Sequence, residues 1–293
     1  MENTLIPYAP GPLPPDRKIL VLAPHPDDEV FGCGGAIALH RAAGAEVHVV
    51  LVTAGDAAGE AGVRLAESAA AARVLGTPPP QCWHIPDRHL RNSPELVARI
   101  LDTLATTGAS LLYAPSLWEN HPDHRGLAEA TLATVRQHGQ LGWMAYEVSA
   151  PLRPNLLLDI SPVLGLKHAA MTCFPTQLAL QRYDRHLAAL NTFRTYTLPA
   201  SVEAAEAYEH YPAGSLAHGR PTLIEQELHR LSNLFAPPAL PHTSDTPEAA
   251  LHELRHTIDR LTRERDELLH STSWRITRPL RALKRLLSSP PRD

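Results

Sequence analysis

Cysteine is scarce in this 293-residue chain: Cys33, Cys82 and Cys173 are odd in number, widely spaced and form no C-x-x-C pair. That excludes a disulfide-stapled miniprotein and suits a reducing cytosol. Long apolar runs are missing too; none approaches the ~18 residues of a membrane span. Residues 1–16 carry an early Glu2 and no apolar stretch, so no signal peptide is expected. There is no internal repeat. With 44% hydrophobic and 20% charged residues, the composition also excludes a disordered chain, a coiled-coil rod and a collagen. Histidine is what the chain has in quantity, 17 of them, which prompts a search for metal or acid–base sites.

The net charge of −4 conceals a split. Residues 271–293 set Arg275, Arg278, Arg281, Lys284, Arg285 and Arg292 against Asp293 alone, a net of +5, which leaves −9 on residues 1–270. An acidic body without a recognisable nucleic-acid module disfavours nucleic-acid binding.

Lys18–Ala23 is a short apolar run closed by Pro24 and reads as a strand buried on both faces. Further strands are predicted at 46–53, 82–85, 110–115, 143–149 and 156–160. Helices are predicted at 32–43, 60–75 and 94–106, and 161–194 reads as largely helical. Gly44 and Gly76 stand where helix C-termini need them. This alternation implies an α/β fold, Rossmann-like, with a mostly parallel sheet and helices on both faces, plus a C-terminal helical appendage. The expected divisions are a domain over 1–215, a helix and Pro-rich linker over 216–247, and a helical, basic amphipathic tail over 248–293. Within these, Thr222-x-x-Glu225 is a capping-box pattern, and 248–270 has the 3-4 apolar spacing of a short coiled-coil or docking helix.

Two segments carry chemistry: Ala23-Pro-His-Pro-Asp-Asp-Glu29 after the first strand, and His121-Pro-Asp-His124 after the 110–115 strand. Both follow the carboxyl ends of parallel strands, where open α/β sheets bind ligands. A turn can bring His25 and Asp28 to one point, leaving Asp27 free to face the same cavity. With one histidine of the second segment, this gives the three protein ligands of a catalytic zinc site. The plainer readings stay open on the residues alone. Asp27-Asp28-Glu29 suits the first turn of a helix, and His121 or His124 suits an ordinary structural histidine. Both segments standing at strand ends favours a site.

APHPDDE at 23–29 and HPDH at 121–124 resemble the PIG-L / LmbE-like family of zinc-dependent N-acetylsugar deacetylases, as do Arg64-Leu-Ala-Glu67, Tyr146-Glu-Val148, Lys167 with Gln177, Leu190–Arg194 and Ala205-Glu-Ala207. The resemblance spans roughly 17–210 and implies that His25, Asp28 and His124 bind the metal, Zn2+ or another divalent ion such as Fe2+. It makes Asp27 the general base, His121 the stabiliser of the oxyanion, as a cationic ring, and Asp123 the residue that orients a histidine. Arg64 and Asp87 are the implied substrate contacts; the alternative for Arg64 is an exposed pair with Glu67, worth a few tenths of a kcal/mol. Glu29, Lys167 and Gln177 are expected to be structural, and His40, His84, His89 and His138 to be bystanders. Glu119-Asn120, before the HPDH, stands where family members often carry an aspartate, which leaves a contact behind the metal ligands in question.

The expected function is metal-dependent removal of an N-acetyl group from an N-acetylhexosamine-containing, lipid- or nucleotide-linked substrate in glycan biosynthesis. The alternatives are O-deacetylation and a non-catalytic scaffold. The tail segment 271–281 resembles one found near the ends of bacterial surface-glycan assembly proteins. With Trp274 beside a basic amphipathic stretch, 271–293 suits an anionic membrane surface, a glycosyltransferase partner, or packing on its own domain. A cytoplasmic protein, peripheral at the inner membrane face or self-associating, is the corresponding expectation.

Overall fold

The apolar runs read at 18–23 and 46–53 form strands with those bounds, β1 (Lys18–Ala23) and β2 (Glu46–Thr53), paired in parallel from Lys18 opposite Glu46 to Ala23 opposite Leu51. The computed structural model describes residues 6–217 and 221–226, with 259–260 and 262–263. The chain divides into a unit over Met1–Leu228 and a second over His229–Asp293. The proposed linker at 236–247, nearly all of the 248–270 helix and the whole 271–293 tail lie outside the described residues.

From β1 the chain runs through α1 (Asp28–Ala42) to β2, and through α2 (Ala61–Leu75) to β3 (Gln81–Ile85). It then returns by α3 (Pro94–Thr107) to β4 (Leu111–Pro115) on the other side of β1, and by α4 (Pro122–His138) to β5 (Gly142–Tyr146). After β6 (Leu156–Asp159), α5 (Leu164–Met171), α6 (Pro175–Leu180) and α7 (Tyr183–Phe193) precede β7 (Ala205–Tyr211). The sheet order is β3-β2-β1-β4-β5-β7-β6, with β1 to β5 parallel and β7 antiparallel to both neighbours. The order reverses between β1 and β4, so the loops after those two strands flank the switch-point crevice.

Alternate residues of the strands feed two cores, as strands covered on both faces require. Ile19, Val21 and Ala23 pack with α1, α2 and α5. Leu20 and Leu22 pack with α3 and α4, through residues such as Ile100, Leu104 and Leu127. No described helix is long and apolar enough to cross a membrane.

Four elements differ from the expectation. Helix α1 begins at Asp28 rather than Gly32 and is broken at Cys33 (φ −140°). The break frees two backbone N–H groups, and Glu206 captures them: Oε1 accepts from Gly35 N at 2.7 Å and Oε2 from Ala36 N at 2.8 Å. The predicted strand at 143–149 stops at Tyr146, because the amides of Val148 and Ser149 turn to Glu119. Strand β7 and helix α4 were not anticipated. The Thr222 capping box forms: Glu225 Oε2 accepts from Thr222 N at 2.7 Å, Glu225 N donates to Thr222 Oγ1 at 3.3 Å, and Glu225 also meets Arg136 at 2.9 Å.

Candidate active site

Pro26 follows His25 at the end of β1, and the chain turns at once. Asp27 occupies the N-cap of α1 at φ +131°, a region that L residues rarely adopt. Glu29 holds this turn, its Oε2 accepting from Asp27 N at 2.9 Å while Ser68 Oγ donates to Oε1. On the other side of the crevice His121 caps α4, its Nδ1 accepting from Asp123 N at 3.2 Å, and Pro122 takes the first helical position. Asp28 is therefore a first-turn residue of its helix and a cavity residue at once, and its two readings are compatible.

His25, Asp28 and His124 converge. Asp28 Oδ2 lies 3.2 Å from His25 Nδ1 and 3.2 Å from His124 Nε2. The ligand atoms of His25, His121 and His124 also fall within 4.8 Å of one another. The opposite nitrogens are engaged as a metal-binding histidine requires. His25 Nε2 meets Asp87 Oδ1 at 3.1 Å and Asp123 Oδ2 at 3.2 Å, while His124 Nδ1 meets Glu119 Oε2 at 3.1 Å.

His25, Asp87 and Asp123 form a second close group. Their carboxylates are already acceptors, Asp123 from Arg88 N and Leu90 N and Asp87 from Ala57 N. The His25 Nδ1 side is thus the one that fits a divalent cation, with nitrogen and carboxylate donors suited to zinc.

The cleft, about 210 Å³, is lined by His25, Asp28, Asp87 and His124 together with Asp27, Arg64, His121, Val148, Ser149 and Tyr183. Burial and the neighbouring Asp28 charge push the Asp27 carboxyl well above the usual range, against the pull of Arg64 and His25. Burial and the charges at His124 and His25 lower the pKa of His121. Its Nδ1 accepts a backbone N–H, so the neutral ring carries its proton on Nε2.

Arg64 is neither exposed nor paired with Glu67. It is 3% exposed and donates to Gly55 O at 2.8 Å, Pro26 O at 2.7 Å and Asp27 Oδ2 at 3.1 Å. Gly55, at φ +66°, admits it: a Cβ there would lie 2.2 Å from Arg64 Nη1. Glu67 instead accepts from Thr176 N and Oγ1. Asp87, expected at a sugar hydroxyl, lies against His25, and Asp123 orients the same ring.

Glu119 is the residue whose importance the sequence understated. Fully buried, it accepts from His124, from Val148 N at 2.6 Å and from Ser149 N and Oγ. Its longer side chain makes the contact left in question, and its place five residues before His124 was the available signal. Lys167 is architectural, pairing with Glu206 at 2.7 Å.

Residues 20–135 match the family model described as PIG-L, GlcNAc-PI de-N-acetylase. Over 187 residues the chain is 26% identical to the diacetylchitobiose deacetylase of Thermococcus kodakarensis, covering 55% of this chain and 70% of that one. Over 205 residues it is 27% identical to the 4-oxalmesaconate hydratase of Pseudomonas putida, covering 59% and 79%. Its fold matches that of the N,N'-diacetylchitobiose deacetylase from Pyrococcus horikoshii, solved with an inhibitor, with a TM-score of 0.64 and 24% identity over 74% of this chain and 90% of that one. With the paired motifs on the switch-point loops and a histidine–carboxylate site between them, the chain is an enzyme that carries a PIG-L family domain over residues 20–135 and is similar to deacetylases of that family.

Proposed function

We propose that the chain is a zinc-dependent hydrolase that removes the N-acetyl group from an N-acetylhexosamine unit of a lipid- or nucleotide-linked substrate in glycan biosynthesis. The observation that carries the reading is Asp27. It is a buried carboxylate on a strained backbone, held by Arg64 beside the His25–Asp28–His124 group and bonded to none of those side chains. A purely structural metal site has no use for it.

In this reading His25 Nδ1, Asp28 and His124 Nε2 hold the ion. A divalent ion there would lower the pKa of its bound water towards neutrality and polarise a carbonyl. Asp27 takes the proton from the attacking water and returns it to the leaving amine as the amide C–N bond breaks. His121 donates its Nε2–H to the developing oxyanion. Asp123 and Asp87 orient His25, and Glu119 orients His124. Arg64 acts as a positioning residue that aims Asp27, and the acyl carbon departs as acetate with the water oxygen. The diacetylchitobiose deacetylase relative supports the amide chemistry. One observation favours a second reading: the hydratase relative, in which a base and a cation would instead direct water onto an unsaturated acid.

Acetate release from a panel of N-acetyl and O-acetyl glycosides, with and without chelator, tests the proposal. Acetate is expected from N-acetyl members, lost on chelation and restored by zinc. Asp27→Asn should lower kcat by about 10²- to 10⁴-fold with bound metal unchanged. Release from O-acetyl members alone would make the enzyme an esterase. Hydration of an unsaturated dicarboxylate, with no acetate released, would replace the reading altogether.

A further inference from the structure

Five charged side chains line the cleft, and four are committed to partners. Asp27 meets Arg64, Asp28 meets His25 and His124, and Asp87 meets His25 and the Ala57 N–H. The fifth is Arg88. Its side chain is exposed, and its guanidinium makes no hydrogen bond or ion pair with any described residue.

The backbone of Arg88 is held as firmly as its side chain is free. It sits at φ +64°, in the left-handed region that favours glycine. Asp123 holds it there: Oδ2 accepts from Arg88 N at 2.6 Å and Oδ1 from Leu90 N at 3.1 Å. The same Oδ2 lies 3.2 Å from His25 Nε2. One carboxylate thus fixes both the histidine of the metal site and the loop that presents Arg88. A glycine would take this backbone without strain, so the arginine is not explained by the turn. Observed strain of this kind, at a cleft, points to function.

The cleft is also polarised. An anion directed at the floor would meet Asp27 and Asp28, whereas at the rim it would meet Arg88. A guanidinium fork pairs in bidentate fashion with phosphate or carboxylate oxygens. We propose that Arg88 is a specificity-determining residue that binds an anionic group of the substrate, a phosphate ester or a carboxylate, outside the acetamide that faces the catalytic floor. The proposal rests on the deacetylase reading above and narrows it: the substrate is an anionic acetamido sugar.

The test follows acetate release by the zinc-loaded full chain from N-acetylglucosamine, diacetylchitobiose, N-acetylglucosamine 1-phosphate and N-acetylglucosaminuronate. Calorimetric binding of the same four sugars runs in parallel. Arg88→Ala is expected to raise KM for the preferred anionic sugar by about 10- to 100-fold. Its kcat should stay within about twofold, and the neutral sugars should be unaffected. Arg88→Lys should fall between. Arg88→Gly should match Arg88→Ala in KM while keeping or raising the melting temperature, which a structural arginine would not allow. The phosphate and carboxylate arms identify the anion. Equal KM and equal affinity for neutral and anionic sugars, unchanged in Arg88→Ala, would overturn the inference. If no sugar releases acetate, the deacetylase reading fails, and the binding arm still decides the role of Arg88: affinity for an anionic sugar that depends on Arg88 upholds it, and its absence overturns it.

Discussion

Two clusters of buried charge lie along the first turns of α1, and they differ in closure. Around Gly35 and Ala36, Glu206 receives Lys167 Nζ and Gly35 N on one oxygen, and Ala36 N and the Tyr208 hydroxyl on the other. Both side chains of the ion pair are all but inaccessible, at 0% and 1%. One acid meets one base, and every strong acceptor is used. Around Asp27 and Asp28 the arithmetic does not close. Asp27, Asp28, Asp87, Asp123 and Glu119 meet one buried arginine, Arg64, and one exposed arginine, Arg91, 4.0 Å from Asp123; the rest of the balance falls on histidines. Burial alone therefore does not separate scaffold from site. A cluster whose charge is settled by exchangeable protons is one that a cation can enter.

Breaking the closed cluster should produce the largest change in stability. Lys167→Met leaves Glu206 buried and uncompensated, and should lower the unfolding free energy by about 3–5 kcal/mol. Denaturant titration would read this. Metal content and kcat of the folded fraction should stay as in the parent, because Lys167 reaches the cleft wall only through the Phe31 carbonyl, at 3.3 Å, and none of its charged groups. Loss of metal at unchanged stability would mean that the two clusters are not separate devices.

Glu119 lies between the two types, since it is fully buried like Glu206 but bonded to a metal-site histidine. Glu119→Gln keeps the shape and turns an N–H₂ towards a ring of donors. We expect zinc affinity to fall by about 10- to 100-fold. The stability of the chelated protein should fall by only about 1–2 kcal/mol. Competition with a chromophoric chelator measures the first and denaturant the second. A loss of stability with zinc affinity intact would place Glu119 with the scaffold.

The same contrast explains what could be read in advance. Strands β1 and β2 are continuous apolar runs, and a strand buried on both faces has no other pattern. Strand β7 was missed because its sequence, Ala-Glu-Ala-Tyr-Glu-His-Tyr, buries Glu206 and Glu209, so polar residues stand where a core pattern needs apolar ones. That His25, Asp28 and His124 meet was legible because His25 and Asp28 follow β1 by two and five residues, His124 follows β4 by nine, and the switch point joins the two ends. The partner of Glu206 at Gly35 is 171 residues away, and the Val148 and Ser149 amides lie about 30 residues from Glu119. No local pattern encodes such a pairing. The alternative reading of Arg64 fails for a related reason: helix spacing pairs it with Glu67, whereas the left-handed turn at Gly55 opens the space that draws it inward.

The smallest expected effect is a pH response confined to the open cluster. Burial by itself lowers the pKa of both His25 and His124. Hydrogen bonds to Asp123, Asp28 and Asp87 outweigh this for His25 and push it up to about 12. The Asp28 charge and hydrogen bonds to Asp28 and Glu119 raise His124 to about 9. A raised folded pKa stabilises the metal-free chain in full below the ordinary histidine value of about 6.5, and that contribution is lost as pH climbs through about 9 for His124 and towards about 12 for His25. Zinc needs the lone pairs those protons occupy, so its binding releases protons and strengthens over the same range. From about pH 7 to about pH 9.5 the melting temperature of chelated protein should fall faster than that of zinc-loaded protein, so the gap widens with pH. The widening should be on the order of a few degrees, since 1 kcal/mol moves the melting point of a domain of this size by about 2–4 °C. Lys167→Met should retain it, because that cluster contains no histidine. A gap that stays constant with pH would mean that histidine protons do not balance the carboxylates of the site, and the distinction between a closed and an open cluster would lose its physical basis.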